Sequence, residues 1–118
     1  MTHMLRDVVN IEDVLSCAVI AKAMPVAKTE NSGVKVTLLD GDYPFHSHDV
    51  DEVFVILDGE LTMDFEGLET KPLKAGDVLT VPAGQRHRTR TIKPSKVCLL
   101  YTSPSPRDAT LSRMPSSA

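Results

Sequence analysis

The apolar positions of this chain fall into short runs. Residues 53–57 read Val-Phe-Val-Ile-Leu, apolar on both parities, which predicts a strand covered on both faces. Asp58-Gly59 comes next, a pair suited to a tight hairpin turn. Beyond it Leu61, Met63 and Phe65 alternate with Thr62, Asp64 and Glu66, the period-two signature of a half-buried strand. Glu66-Gly67 predicts another turn. Residues 78–81 form the next strand, entered through Ala75-Gly76-Asp77 and closed by Pro82-Ala83-Gly84, and residues 87–91 form one more. Upstream, residues 34–39 are rich in β-branched and aliphatic side chains, and residues 17–21 are a short apolar run. Residues 10–16 suit a short helix or turn, with Asn10 as N-cap and Glu12 and Asp13 in the first turn. Many short strands with turns every ~8–12 residues predict an all-β antiparallel sandwich or barrel.

The pattern stops near Thr102. The chain then reads TSPSPRDATLSRMPSSA, rich in serine and proline, with no hydrophobic period. Such a segment buries too little apolar surface to offset its ordering entropy. The string CLLYTSPSPRD with SRMPSSA is also similar to translated sequencing-adaptor DNA at the ends of truncated reading frames. The expectation is a domain over residues 1–97, with its motif core at 34–97, and a non-native tail over 98–118, disordered or loosely packed. Leu99, Leu100 and Tyr101 could still imitate a final strand.

Composition narrows the function classes. A chain of 118 residues is one domain by length. The formal net charge is −3 and aromatics are only 4%, so neither the basic footprint of a nucleic-acid binder nor its stacking platforms are present. Arg86, Arg88 and Arg90 are the local basic cluster and read as a solvated strand face. Two isolated cysteines, Cys17 and Cys98, are not a disulfide framework, which suits a reducing cytoplasm. Asp7, Glu12 and Asp13 interrupt any secretory apolar region. No apolar run reaches the ~18–20 residues of a membrane span. Neither nucleic acid nor membrane is expected as a partner.

The histidines carry the candidate chemistry. His46 and His48 are two residues apart, so on a strand both imidazoles point to one face. Glu52 can add an oxygen from the next strand, and His87 comes after a Pro-x-Gly turn. Three imidazoles and a carboxylate suit one divalent transition metal: zinc, iron, manganese, nickel or copper. A His-x-His pair alone is a weak signal, because surface histidine pairs occur by chance.

The frame around them is more specific. Gly41, His46, His48, Glu52 and Gly59 read G-x4-H-x-H-x3-E-x6-G, and Gly76, Pro82, Gly84 and His87 read G-x5-P-x-G-x2-H. These blocks resemble the paired motifs of the cupin superfamily. The HSH, DVDEVF and LDGEL text is similar to the short bacterial and archaeal cupins grouped with mannose-6-phosphate isomerase. The resemblance implies a jelly-roll barrel of six to eight strands, with metal ligands His46, His48, Glu52 and His87 in its mouth. It also implies pairing into a homodimer. Two positions depart from the motif: four residues rather than five precede His46, and Thr91 stands where an asparagine is usual.

Strand parity gives an expected pocket. Glu52 shares a face with Phe54 and Ile56, and His87 shares one with Thr89 and Thr91. Arg86, Arg88 and Arg90 then face away from the metal, and Tyr43 lies opposite His46. Gly59 and Gly84 sit where turns need positive φ or close packing. No second catalytic acid or base stands out, and Glu60 and Glu66 read as solvated. Three functions fit: a metalloenzyme of isomerase, decarboxylase or dioxygenase type on a small oxygenated metabolite, a metal-dependent sugar- or metabolite-binding or sensing module, or a stable fold with a structural metal.

Overall fold

The computed structural model describes residues 8–102. A one-turn helix α1 (Ile11–Leu15) precedes six strands: β1 (Met24–Lys28), β2 (Ser32–Leu39), β3 (Glu52–Phe65), β4 (Lys71–Lys74), β5 (Val78–Val81) and β6 (His87–Thr102). All pairings are antiparallel, in the order β1-β2-β6-β3-β4, with β5 on β3. Asn10 caps α1, its side-chain oxygen accepting from Asp13 N at 3.0 Å.

Two long strands organise this small jelly roll. The first half of β3 pairs β5 on one side and the end of β6 on the other, Glu52 facing both Val81 and Tyr101. The second half of β3 pairs β4 and the start of β6, Phe65 facing His87. The register slips between residues 56 and 61 of β3. There both long strands turn from one half of the barrel to the other.

The Asp58-Gly59 hairpin is therefore corrected: β3 runs straight through it. Tertiary pairing overrides the local turn signal, because β6 is long enough to stay bonded on both sides of the bend. Gly59 keeps a positive φ of 104°, and a Cβ there would overlap Ser95 Oγ and the Pro94 carbonyl. It works as a crossing point for two backbones rather than as a hairpin apex.

The apolar run 17–21 forms turn and coil, with Ala21 at φ 67° and Val19 and Ile20 exposed. Two further expectations change. β1 and β4 are strands that the sequence pattern missed; MPVAK and KPLK each carry a proline and little alternation. Most consequentially, Cys98–Thr102 is no loose tail. It completes β6 between β2 and β3, with Cys98 paired to Val36 and Val55 and buried. Residues 103–118 lie outside the described part.

The two-faced reading of residues 53–57 is met by two cores. Phe54 and Ile56 point inward with Leu61, Met63, Leu73 and Val97. Val55 and Leu57 point outward, into a second cluster in which Leu15 of α1 covers Val26, Val36 and Cys98.

Candidate metal centre

His46 and His48 lie on the connection between β2 and β3, and His87 opens β6. The connection is not a strand. It is tied to β6 by bridges of Asp42 to Arg90 and His46 to His87, with reciprocal His46–His87 backbone bonds of 2.9 Å. Gly84 N donates to the His48 carbonyl at 2.8 Å, so the Pro-Ala-Gly turn holds the second histidine's backbone. The three rings converge despite the irregular backbone, with candidate ligand atoms all within 4.8 Å of one another.

The hydrogen bonds around the rings select the nitrogen left over. A carbonyl oxygen can only accept, so Nδ1 of His46 donates to the Pro44 carbonyl (3.1 Å) and Nδ1 of His87 to the Gln85 carbonyl (2.8 Å). In the neutral rings Nε2 then carries the lone pair, the arrangement metal-ligating histidines adopt. His87 is fully buried and its Nε2 has no hydrogen-bond partner among the described residues. Burial pushes its pKa below the usual 6.5, and the neighbouring His46 and His48 push the same way. The Gln85 carbonyl and the more distant Glu52 oppose them. The balance favours the neutral, ligating form. An orphaned buried nitrogen costs about 1–3 kcal/mol, and a divalent cation would satisfy it. The three histidines fit a metal on this ground.

Glu52 stands beside this group rather than within it. Its Oε1 lies 3.5 Å from His48 Nε2, at the start of β3. It is the one carboxylate on the wall of a cavity of about 360 Å³ onto which His46 and His48 also open.

That cavity corrects the expected pocket. Phe54 and Thr89 line it. Ile56 does not: it is buried in the inner core. Thr91 does not either, since its hydroxyl is engaged by Gly41 N (2.7 Å) and donates to the Gly41 carbonyl (3.2 Å). Tyr43 does line the cavity, against the parity argument, because the stretch carrying it is irregular. Lys35, Thr37 and Leu39 also line it. Their spacing of two along β2 was the available signal, but Val34, Val36 and Leu38 between them form the more apolar face, and that face covers the outer core.

Arg88 and Arg90 face away from the histidines, as expected, but are not simply solvated. Both reach Asp64 on the outer face, with Arg90 bidentate at 2.6 and 2.9 Å. A larger, open groove of about 570 Å³ lies elsewhere, walled by Phe65, Leu68, Leu79 and Pro82. Its two charged residues, Glu69 and Lys71, pair with each other at 2.8 Å.

The Cupin domain family matches residues 34–102, more than half of the chain. The protein belongs to the cupin family. It is 42% identical over 67 residues to YdbB of Bacillus subtilis (strain 168), a stretch covering 56% of this cupin and 59% of YdbB. It is 43% identical over 49 residues to dimethylsulfoniopropionate lyase DddQ of Ruegeria pomeroyi, covering 42% of this chain and 24% of DddQ. The chain thus spans less than two thirds of either relative. Among solved structures it resembles a cupin-2 domain protein of Shewanella frigidimarina, with TM-score 0.73, 25% identity, and 79% and 92% of the two chains covered. It also resembles the DddQ structure, with TM-score 0.60, 31% identity, and 64% and 40% covered. No helix among the described residues is long and apolar enough to cross a membrane.

Proposed function

We propose that this cupin binds one divalent transition metal through His46, His48 and His87, with Glu52 as fourth ligand, and acts on a small oxygenated metabolite in the adjoining cavity. The observation that carries this reading is the His87 ring, held by the Gln85 carbonyl and left with a buried, unpartnered Nε2. When bound, such an ion would polarise a substrate oxygen or, if redox-active, support oxygen chemistry.

Turnover is favoured over a purely structural metal because His46, His48 and Glu52 also line the cavity. Structural metal sites are closed, whereas catalytic ones keep a position open to substrate. Among reaction types, lyase, decarboxylase and dioxygenase chemistry fit better than isomerisation of a sugar phosphate. The latter asks for several cations around a phosphate, and with all three clustered arginines on outer-face carboxylates the cavity wall keeps Lys35 alone among the described residues.

The outer face also supports our proposal of a homodimer. Leu100 pairs with Val34 and Val53, and Val55 pairs with Val78, forming an apolar patch on which Leu100 and Val78 stay exposed. With Cys17 and Cys98 both free thiols, we place the protein in the cytoplasm.

Elemental analysis of protein purified without chelator tests the metal. About one divalent ion per chain is expected in the wild type and none in His87→Ala. A metal-free wild type that does not take up zinc, manganese or iron on titration would sink the reading. Sedimentation equilibrium tests the dimer, and a Leu100→Glu monomer beside a wild-type dimer is expected.

A further inference from the structure

The cavity wall contains more than the metal ligands, and the additional groups share one chemical character. Lys35, on β2, is half-buried and lines the cavity. Its ammonium lies over the Tyr101 ring, 4.8 Å from the centroid. Gly33 makes this possible, because a Cβ there would collide with the Tyr101 ring. Among the described residues no carboxylate lies within ion-pair reach of Lys35, whereas Lys71, Lys74, Lys93 and Lys96 each have one. The cation is thus steadied by an aromatic face and left without a counter-ion.

Three hydroxyl-bearing residues, Thr37, Tyr43 and Thr89, line the same cavity. Tyr43 accepts a hydrogen bond from Asp40 N at 3.0 Å, which leaves its own proton free to donate. Thr37 Oγ1 is buried without a partner among the described residues. Thr89 turns its hydroxyl to Met63 Sδ at 3.7 Å, and Leu39, Phe54 and Leu99 give the wall its apolar part. Glu52, the cavity's carboxylate, is engaged with His48.

We infer that the cavity takes a small organic carboxylate, its anionic end on Lys35 and its short apolar stem along Leu99, the cross-strand neighbour of Lys35, and Phe54 beside it. This rests on the metal reading only for what happens at the other end of the molecule. The size is at the low end of ligand cavities, which run ~300–1,000 Å³. A sugar fits poorly, since its many hydroxyls would lie unpaired against apolar walls. An amine would meet a like charge. Lys35 binds the anion and Tyr101 is a positioning residue for it.

The test is an NMR titration of the full chain, zinc-loaded, with butyrate, methyl butyrate and D-glucose as probes. Butyrate is expected to shift resonances of the cavity residues, while the ester and the sugar do not. Lys35→Met should weaken butyrate at least tenfold with zinc content unchanged, Lys35→Arg should keep most of the affinity, and Tyr101→Leu should give an intermediate loss. Thr37→Val should raise the melting temperature of the free protein. Equal binding of ester and acid, or unchanged binding in Lys35→Met, overturns the inference even if zinc loads normally. Lys35-dependent butyrate binding by a wild type that takes no metal would uphold it while the metal reading falls.

Discussion

Asp64 and His87 are both buried, on neighbouring strands, and they solve opposite problems. Asp64 points to the outer face of β3 and accepts from Arg88, twice from Arg90, and from Thr70, at 2.6–2.9 Å. These bonds, Arg90's foremost, hold its carboxyl well below the ordinary 3.8. His87 points inward and has one nitrogen satisfied and the other bare. A buried polar group built for the fold alone has its partners within the fold. One built for a ligand is left short of one.

The most severe way to break this comparison removes the frame that both groups share. Truncation after Val97 would delete the pairing of Cys98–Thr102 with β2 and with the start of β3, exposing two strand edges and opening the inner core. We expect loss of the cooperative melting transition and of the far-UV strand signal. A truncated chain that melts like the full one would show that this segment is dispensable.

Asp64→Ala should be next, at about 2–3 kcal/mol. Breaking a buried charge cluster costs ~3–5 kcal/mol, but Arg88 and Arg90, 38% and 39% exposed, can turn to water. Denaturant unfolding at neutral pH measures it. The sign of the acid limb comes from the direction of the shift. A carboxyl depressed in the fold adds stability above the usual carboxylate range and loses it as pH falls through and below about 4. Asp64→Asn should flatten that limb, and an unchanged limb would show that other carboxylates govern it.

Gly59→Ala should cost less, roughly 1–3 kcal/mol, from positive φ and overlap with Ser95. A neutral substitution would mean that the two backbones can part at the bend. The smallest effect sharpens the comparison most. In metal-free protein His87→Leu should shift stability by less than about 1 kcal/mol, because removing the orphaned nitrogen offsets the lost bond to Gln85. A loss as large as that of Asp64→Ala would mean that His87 belongs to the fold rather than to a ligand.

Much of the fold was legible in the sequence. The two-faced run 53–57 did predict burial on both sides, and Leu61, Met63 and Phe65 did point inward. What misled was local. Asp58-Gly59 signals a hairpin only if the partner strand ends there, and β6 does not. Cys98–Thr102 adjoins a serine- and proline-rich stretch and shares its look of a tail, whereas pairing with β2 and β3 decides its place. His46, His48 and His87 could be found because their glycine and proline frame fixes spacing. Lys35 and Tyr43 could not, since neither has a motif. Lys35 lies on a strand face shared with Thr37, a polar alternation that suits solvent as well as a pocket, and Tyr43 lies on an irregular stretch where parity has no meaning.

The bend at Gly59 and Ser95 has a consequence for exchange with solvent. β3 and β6 each run through both halves of the barrel, so neither half can detach without breaking a strand of the other. Local opening is then confined to β1, β4, β5 and the helix at the margins. Amide protons of residues 87–91 and 96–98 should exchange at one common, slowest rate, whereas an ion held by the histidines can leave through the cavity onto which His46 and His48 open, without the barrel parting.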